Sequence, residues 1–163
     1  AVKPKRTVVF FFFGSEEQSE DQGTEGSHYY VEHPVYPLDK TIVFINMEGP
    51  GSGDRVSASG GTTYPGFWRF VERANAAYVR RELGTGPASY PARPRQDSAW
   101  FFWKGVPSLT FGAEGGTPPP YPTYHNTRDS IELVTPEIME DIAQLLFMTV
   151  MDLADEPAPD LRR

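Results

Sequence analysis

Thr7-Val8-Val9-Phe10-Phe11-Phe12-Phe13, followed at once by Gly14-Ser15-Glu16-Glu17, is the stretch on which the reading of this chain turns. An unbroken run of β-branched and aromatic residues is the pattern of a strand buried on both faces, as inside an α/β sheet. Two carboxylates then stand just past its carboxyl end, where open α/β sheets place their ligands. Adjacent Glu side chains at a strand mouth can divide labour, one holding a metal and its neighbour moving protons. A lone loop Glu is ordinarily just solvated, so the meaning of the pair depends on what converges on it.

Working outward, Thr41–Met47 (TIVFINM) reads as a second buried strand, with Glu48 at its exit, and Val106–Phe111 (VPSLTF) as a third. Between them the polar, acidic stretch Ser15–Ser27 is a loop before a short helix at His28–Glu32, stopped by Pro34. Gly66–Leu83 places Phe67, Phe70, Val71, Ala74, Ala77 and Tyr78 at helical spacing and is expected to form a long amphipathic helix. The proline- and glycine-rich Gly112–Thr123 is a shaped loop that delivers Tyr124 and His125. Thr135-Pro136-Glu137 has the N-cap, proline and acidic first turn of a helix start, continued by apolar residues from Ile138 to Leu153. The pattern is α/β, with one domain over residues 1–155 and a frayed tail at 156–163.

At 163 residues there is room for one sizeable core. A net charge of −7 and a pI near 4.9 exclude nucleic acid as the natural partner, because a phosphate backbone demands an excess of Lys and Arg. With no cysteine, neither a disulfide framework nor a thiolate metal site is available, so a metal must be held by His, Asp or Glu. No stretch approaches the roughly 18 apolar residues of a membrane span. The chain begins with Ala1 rather than Met, and its start reads as trimmed.

Glu17, Glu48 and His125 supply the oxygen and nitrogen donors that zinc accepts when thiolates are absent. Each residue alone is unremarkable, since loop carboxylates are usually exposed and single histidines are usually surface or core residues.

The segments KRTVVFFFFGSEEQ, GSHYYVEHPVYPLDKTIVFINMEG, QDSAWFFWKGVPSLTFG and YHNTRDSIELVTPEIMEDIAQLL resemble, in order and spacing, the second half of a co-catalytic zinc aminopeptidase domain. That exopeptidase family also includes glutamate carboxypeptidase, the glutaminyl cyclases and the transferrin receptor ectodomain. The Glu-Glu after an apolar strand and the Tyr-His-x-x-x-Asp block before the last helix are the most specific parts. The resemblance implies a three-layer α/β/α fold with a mostly parallel mixed central sheet, incomplete here on its N-terminal side.

By the same resemblance, Glu16 takes the position of the general base and Glu17 that of a terminal zinc ligand. His125 matches the last ligand of the same metal, and Tyr124 the tyrosine that hydrogen-bonds the developing oxyanion. Glu48 stands where the aminopeptidases have an Asp on the other zinc, and Asp97-Ser98 where they have a site-proximal Asp-His pair. Two zinc ions are implied for the complete domain and a peptide as substrate. Nothing here matches the family's first zinc-binding His or its bridging Asp, which lie upstream of Thr7. The expectation is therefore an aminopeptidase-like exopeptidase of which this chain holds part of the metal site, inactive alone, its exposed strand edge covered by an N-terminal companion segment or by self-association. A non-catalytic peptidase-like interaction module is the alternative. The family habit points to a secreted or periplasmic protein.

Overall fold

In the computed structural model, which describes residues 3–17, 25–86, 90–92, 96–115, 123, 125–157 and 159–161, helices and strands are interleaved along the chain. They run α1 (Glu25–Glu32), β1 (Phe44–Met47), β2 (Arg55–Ser59), α2 (Pro65–Ala74), β3 (Leu83–Gly84), α3 (Asp97–Trp103), β4 (Ser108–Glu114) and α4 (Pro136–Asp155). The strands form one mixed sheet in the order β1-β4-β2-β3. β1 runs parallel to β4 with Ile45 beside Leu109, whereas β2 lies antiparallel to β4 with Val56 beside Ala113. The short β3 is parallel to β2.

The alternation of β4 assigns the two faces of the sheet. Leu109, Phe111 and Ala113 join Val56 and Ala58 against Phe67 and Val71 of α2 and Ile138, Ile142 and Leu145 of α4. Each of the largest of these side chains contributes about 1.5–3 kcal/mol by leaving water. On the other face Thr110 reaches α3, its hydroxyl donating to Ser98 Oγ at 3.4 Å. There α1 and α3 enclose a smaller cluster of Tyr30, Val31, Phe101 and Val106, with Phe13 and Phe44 packed against it. The result is the expected α/β/α layering around an incomplete sheet.

Several boundaries differ from the sequence reading. Pro65 opens α2, but the helix loosens into a π turn at Asn75–Val79 and stops at Arg80, whose φ of 60° is left-handed. The Asn75 side chain fastens this stop by accepting from the Arg81 N–H at 3.0 Å and donating to its carbonyl at 2.8 Å. β2 and α3 were not anticipated: Arg-Val-Ser-Ala-Ser is too small and polar to stand out, and the aromatic run of α3 shows no clear period. β4 continues to Glu114, taking the first residues of the expected loop. The tail does not simply fray, since Leu161 is buried in the main core and its carbonyl accepts from the Phe67 N–H at 3.1 Å.

The largest correction concerns Thr7–Phe13. It is not a buried strand but an extended segment without strand pairing, in which Phe10 is 81% and Phe12 98% exposed. The physical reason is that a parallel strand of this kind needs hydrogen-bonding neighbours, and among the described residues none of the four strands lies against it. Its ends are nevertheless fixed. The N–H groups of Lys5 and Arg6 both donate to Ala154 O at 3.1 Å, and the Arg6 guanidinium donates to the carbonyls of Leu153, Glu156 and Pro157 at the end of α4. At the other end Phe13 packs 6.0 Å from Phe44 and 6.2 Å from Phe101, centroid to centroid.

Candidate active site

After the extended run the chain turns sharply. Ser15 adopts a left-handed φ of 58°, and Glu16 and Glu17 follow in a bend. The first turn of α1 braces this corner, with Gly26 N–H donating to Gly14 O at 3.2 Å and Glu25 N–H to Ser15 O at 3.4 Å. His125 is also left-handed, at φ 55°. A non-glycine residue held there costs on the order of 1 kcal/mol or more, which the surroundings must offset. Two strained corners therefore carry the Glu pair and the histidine toward each other.

They meet. Glu17 Oε1 and His125 Nε2 lie 2.7 Å apart. Glu48 enters from the exit of β1, where its N–H donates to Phe111 O at 2.9 Å and Asn46 Nδ2 donates to its Oε2 at 3.3 Å. This exit is tight: a Cβ on Gly112 would overlap the Glu48 carbonyl oxygen, so only glycine lets β4 pass here.

The electrostatics gather around Glu16. Its carboxyl is pushed up to about 7, first by desolvation and then by the negative charges of Glu17, Glu48 and Asp97. Among the described residues the charges that act on Glu16 are all carboxylates, an arrangement found where a metal or a proton belongs. Asp97 is the member that sequence reasoning undervalued. It begins α3, is almost fully buried, bonds the buried Ser27 hydroxyl, and keeps an Oδ1 without a hydrogen-bond partner. Burial raises its carboxyl above the usual range. An acid opening an otherwise aromatic segment, Asp-Ser-Ala-Trp-Phe-Phe-Trp, was the available signal.

Of the residues singled out from sequence, the structure thus brings together Glu17 with His125, and Glu16 with Glu17, Glu48 and Asp97. Tyr124 lies outside the described residues. Ser98 is buried and accepts from the Thr110 hydroxyl. His28 stacks on Trp100 at 3.8 Å, and the His33 ring bonds Tyr29 O at 3.1 Å. Among the described residues no three His, Asp or Glu side chains are grouped closely enough to hold a metal ion. The Glu17–His125 pair nevertheless suits one. Two ligands of a tetrahedral zinc, each bonded at 2.0–2.2 Å, stand roughly 3.3 Å apart, a small widening of the observed 2.7 Å.

Residues 1–150 match the model of Peptidase family M28. The chain belongs to Peptidase family M28. It is 26% identical over 160 residues to a vacuolar membrane protease of Candida albicans, a match covering 96% of this chain and 18% of that protein. This M28 chain also has the fold of a zinc aminopeptidase from Bacillus subtilis, at TM-score 0.67 and 22% identity, over 91% of its own length and 37% of the other's. The LapA aminopeptidase of Legionella pneumophila is similar at TM-score 0.68 and 16% identity, over 90% and 39% of the two chains. The chain thus spans less than a fifth of the curated relative and under two-fifths of the solved enzymes. The expectation of a secreted or periplasmic protein is overturned, because the curated relatives are vacuolar membrane proteases. No helix among the described residues is long and apolar enough to cross a membrane.

Proposed function

We infer that this chain is the C-terminal part of a zinc-dependent exopeptidase of the aminopeptidase type, acting on the N-terminal residues of peptides. The observation that carries the reading is the 2.7 Å approach of Glu17 and His125, 108 positions apart, immediately beside Glu16. Glu17 and His125 would hold one zinc ion and Glu48 would serve the other. Bound zinc supplies the positive charge that polarises a peptide carbonyl and acidifies water. Glu16, adjacent to Glu17, would take a proton from attacking water and return it to the departing amine. Tyr124 would donate a hydrogen bond to the oxyanion.

A catalytic zinc normally has three protein ligands and an open position. Glu17 and His125 are two, so the remaining donors are assigned to polypeptide beyond these 163 residues, and the isolated chain is expected to be inactive. In keeping with the curated relatives, the proposed setting of the whole protein is the vacuolar membrane. One observation favours a second reading, a non-catalytic peptidase-like interaction module: Ser98, where the aminopeptidases carry a histidine, is turned into the core.

The test is zinc content and hydrolysis of aminoacyl chromogenic substrates by the whole protein and by residues 1–163. Zinc-dependent release by the whole protein supports the peptidase reading, and Glu16→Gln should then keep the metal and lose turnover. A whole protein that binds no zinc and cleaves nothing overturns it in favour of the interaction module.

A further inference from the structure

We propose that the outer face of α1 and α3 is a membrane-facing surface, seated against the headgroup layer of a zwitterionic bilayer and holding the carboxylate cluster off the lipid. The proposal rests on the membrane setting inferred for the whole protein, and it names which face of this chain meets the bilayer.

Both helices are aromatic on two sides. Inside, Tyr30, Val31 and Phe101 fill the smaller core. Outside, where a surface helix ordinarily carries charged and polar side chains, there are more rings. His28 stacks on Trp100 at 3.8 Å, Trp103 stands edge-on to Trp100 at 5.0 Å, and Tyr29 stacks on His33 at 4.4 Å. Tyr29 is 67% and Trp103 47% exposed, and Val35 and Tyr36, just past α1, are exposed as well. Rings gathered on the outside in this way mark an interaction surface.

Their chemistry narrows the occupant. Trp, Tyr and His each join an apolar body to a polar tip, the combination that settles in a headgroup layer, where one side is wet and the other apolar. The charges set among these rings balance. Glu32 pairs with Lys104 at 2.7 Å across the two helices, and Asp39 lies 3.8 Å from Lys40 in the turn that follows Tyr36. In a chain of net charge −7 this face is locally neutral. It has no excess of Lys or Arg to draw anionic lipid, so zwitterionic headgroups are the surface that complements it.

The run of the helices sets the orientation. α1 starts where the Glu25 N–H meets the Ser15 carbonyl, and α3 starts at Asp97, so both begin at the carboxylate cluster. Tyr36 and Trp103 stand at or past the opposite ends, roughly 10 Å further along the helix axes. A bilayer met by those ends leaves Glu16, Glu17 and Glu48 on the aqueous side, open to soluble peptides.

Photocrosslinking tests this in the whole protein, reconstituted in phosphatidylcholine vesicles that contain a diazirine-bearing phosphatidylcholine, with adducts located by mass spectrometry. Lipid adducts on residues 28–36 and 100–104 should exceed by at least ~tenfold those at Tyr78, which is 50% exposed in the π turn after α2. Tyr29→Ser with Trp103→Ser, both at exposed positions, should lower the adducts at Tyr36 by a similar factor while hydrogen exchange in α2 and α4 stays as in the parent. Adducts no more frequent on these residues than at Tyr78 overturn the proposal. So does a face shielded from an aqueous oxidative label yet free of lipid adducts, which assigns its cover to polypeptide, whether another part of the protein or a second copy. The readout needs neither zinc nor turnover. A membrane-held protein with a bare face sinks this proposal alone, whereas a protein recovered wholly off the membrane sinks the membrane setting with it.

Discussion

Glu17 Oε1 and His125 Nε2 approach to 2.7 Å from opposite ends of the chain, each delivered by a left-handed corner at Ser15 or at His125 itself. The contact is the point at which the two halves of the sequence share one site.

If that contact marks a metal position, His125→Ala and Glu17→Gln should each weaken zinc binding by the whole protein by at least ~100-fold, more than loss of an outer-shell partner. Competition against a chromophoric chelator measures it. A change under tenfold would remove the pair from the metal site.

The raised carboxyl of Glu16 makes a signed prediction about pH. With a folded value of about 7 against an ordinary 4.5, the folded state holds a proton that the unfolded state has released. Stability contributed at this site is therefore greatest at low pH and is lost as pH rises toward 7. Glu16→Gln removes that loss. In chelator-treated protein the variant should gain on the parent between pH 5 and pH 8, by roughly 1 kcal/mol at pH 8 once solvent screening of this partly exposed group is allowed for. Thermal melts at the two pH values check it, and an offset independent of pH would contradict the assigned charge environment.

Ser27→Ala should destabilise the fold by about 1–3 kcal/mol, because it strips the buried Asp97 carboxyl of its hydroxyl donor. The cost should be larger where the Asp97 carboxyl is charged than at low pH, where it is protonated, a range that its raised pKa extends upward. Urea denaturation as a function of pH separates this from a simple cavity, whose cost would not depend on pH.

Gly112→Ala should cost about 1–3 kcal/mol through backbone displacement at the exit of β1, since the added methyl collides with the Glu48 carbonyl. Denaturant midpoints measure the stability. In the whole protein the same change should reduce zinc content, because the peptide that carries Glu48 has to move; an unchanged metal stoichiometry would detach Glu48 from the site.

Much of this was legible in the residues. α4 announced itself through Thr135-Pro136-Glu137 and the apolar rows behind it, and the third strand through Val106–Phe111, because period and capping are local properties. The candidate site residues Glu16, Glu17, Glu48 and His125 stood out by their positions at strand exits and in a shaped loop, and resemblance supplied the separate role expected of each. β2 was illegible because Ser57, Ala58 and Ser59 owe their burial to β4 alongside, which no local window contains. Thr7–Phe13 failed for the opposite reason: its local signal is strong and correct for a strand, but the hydrogen-bonding neighbour that would realise it is not among these strands. Asp97 was named only within the Asp97-Ser98 pair, because its own weight comes from its electrostatic coupling to Glu16 across the fold.

The guanidinium of Arg6 binds carbonyls at Leu153, Glu156 and Pro157, and this sets an order of events during synthesis. The carbonyls that anchor the start of Thr7–Phe13 lie up to 151 positions downstream, so the phenylalanine run stays untethered until α4 has been synthesised after it. Through that interval it is the stretch of nascent chain most open to capture by a chaperone.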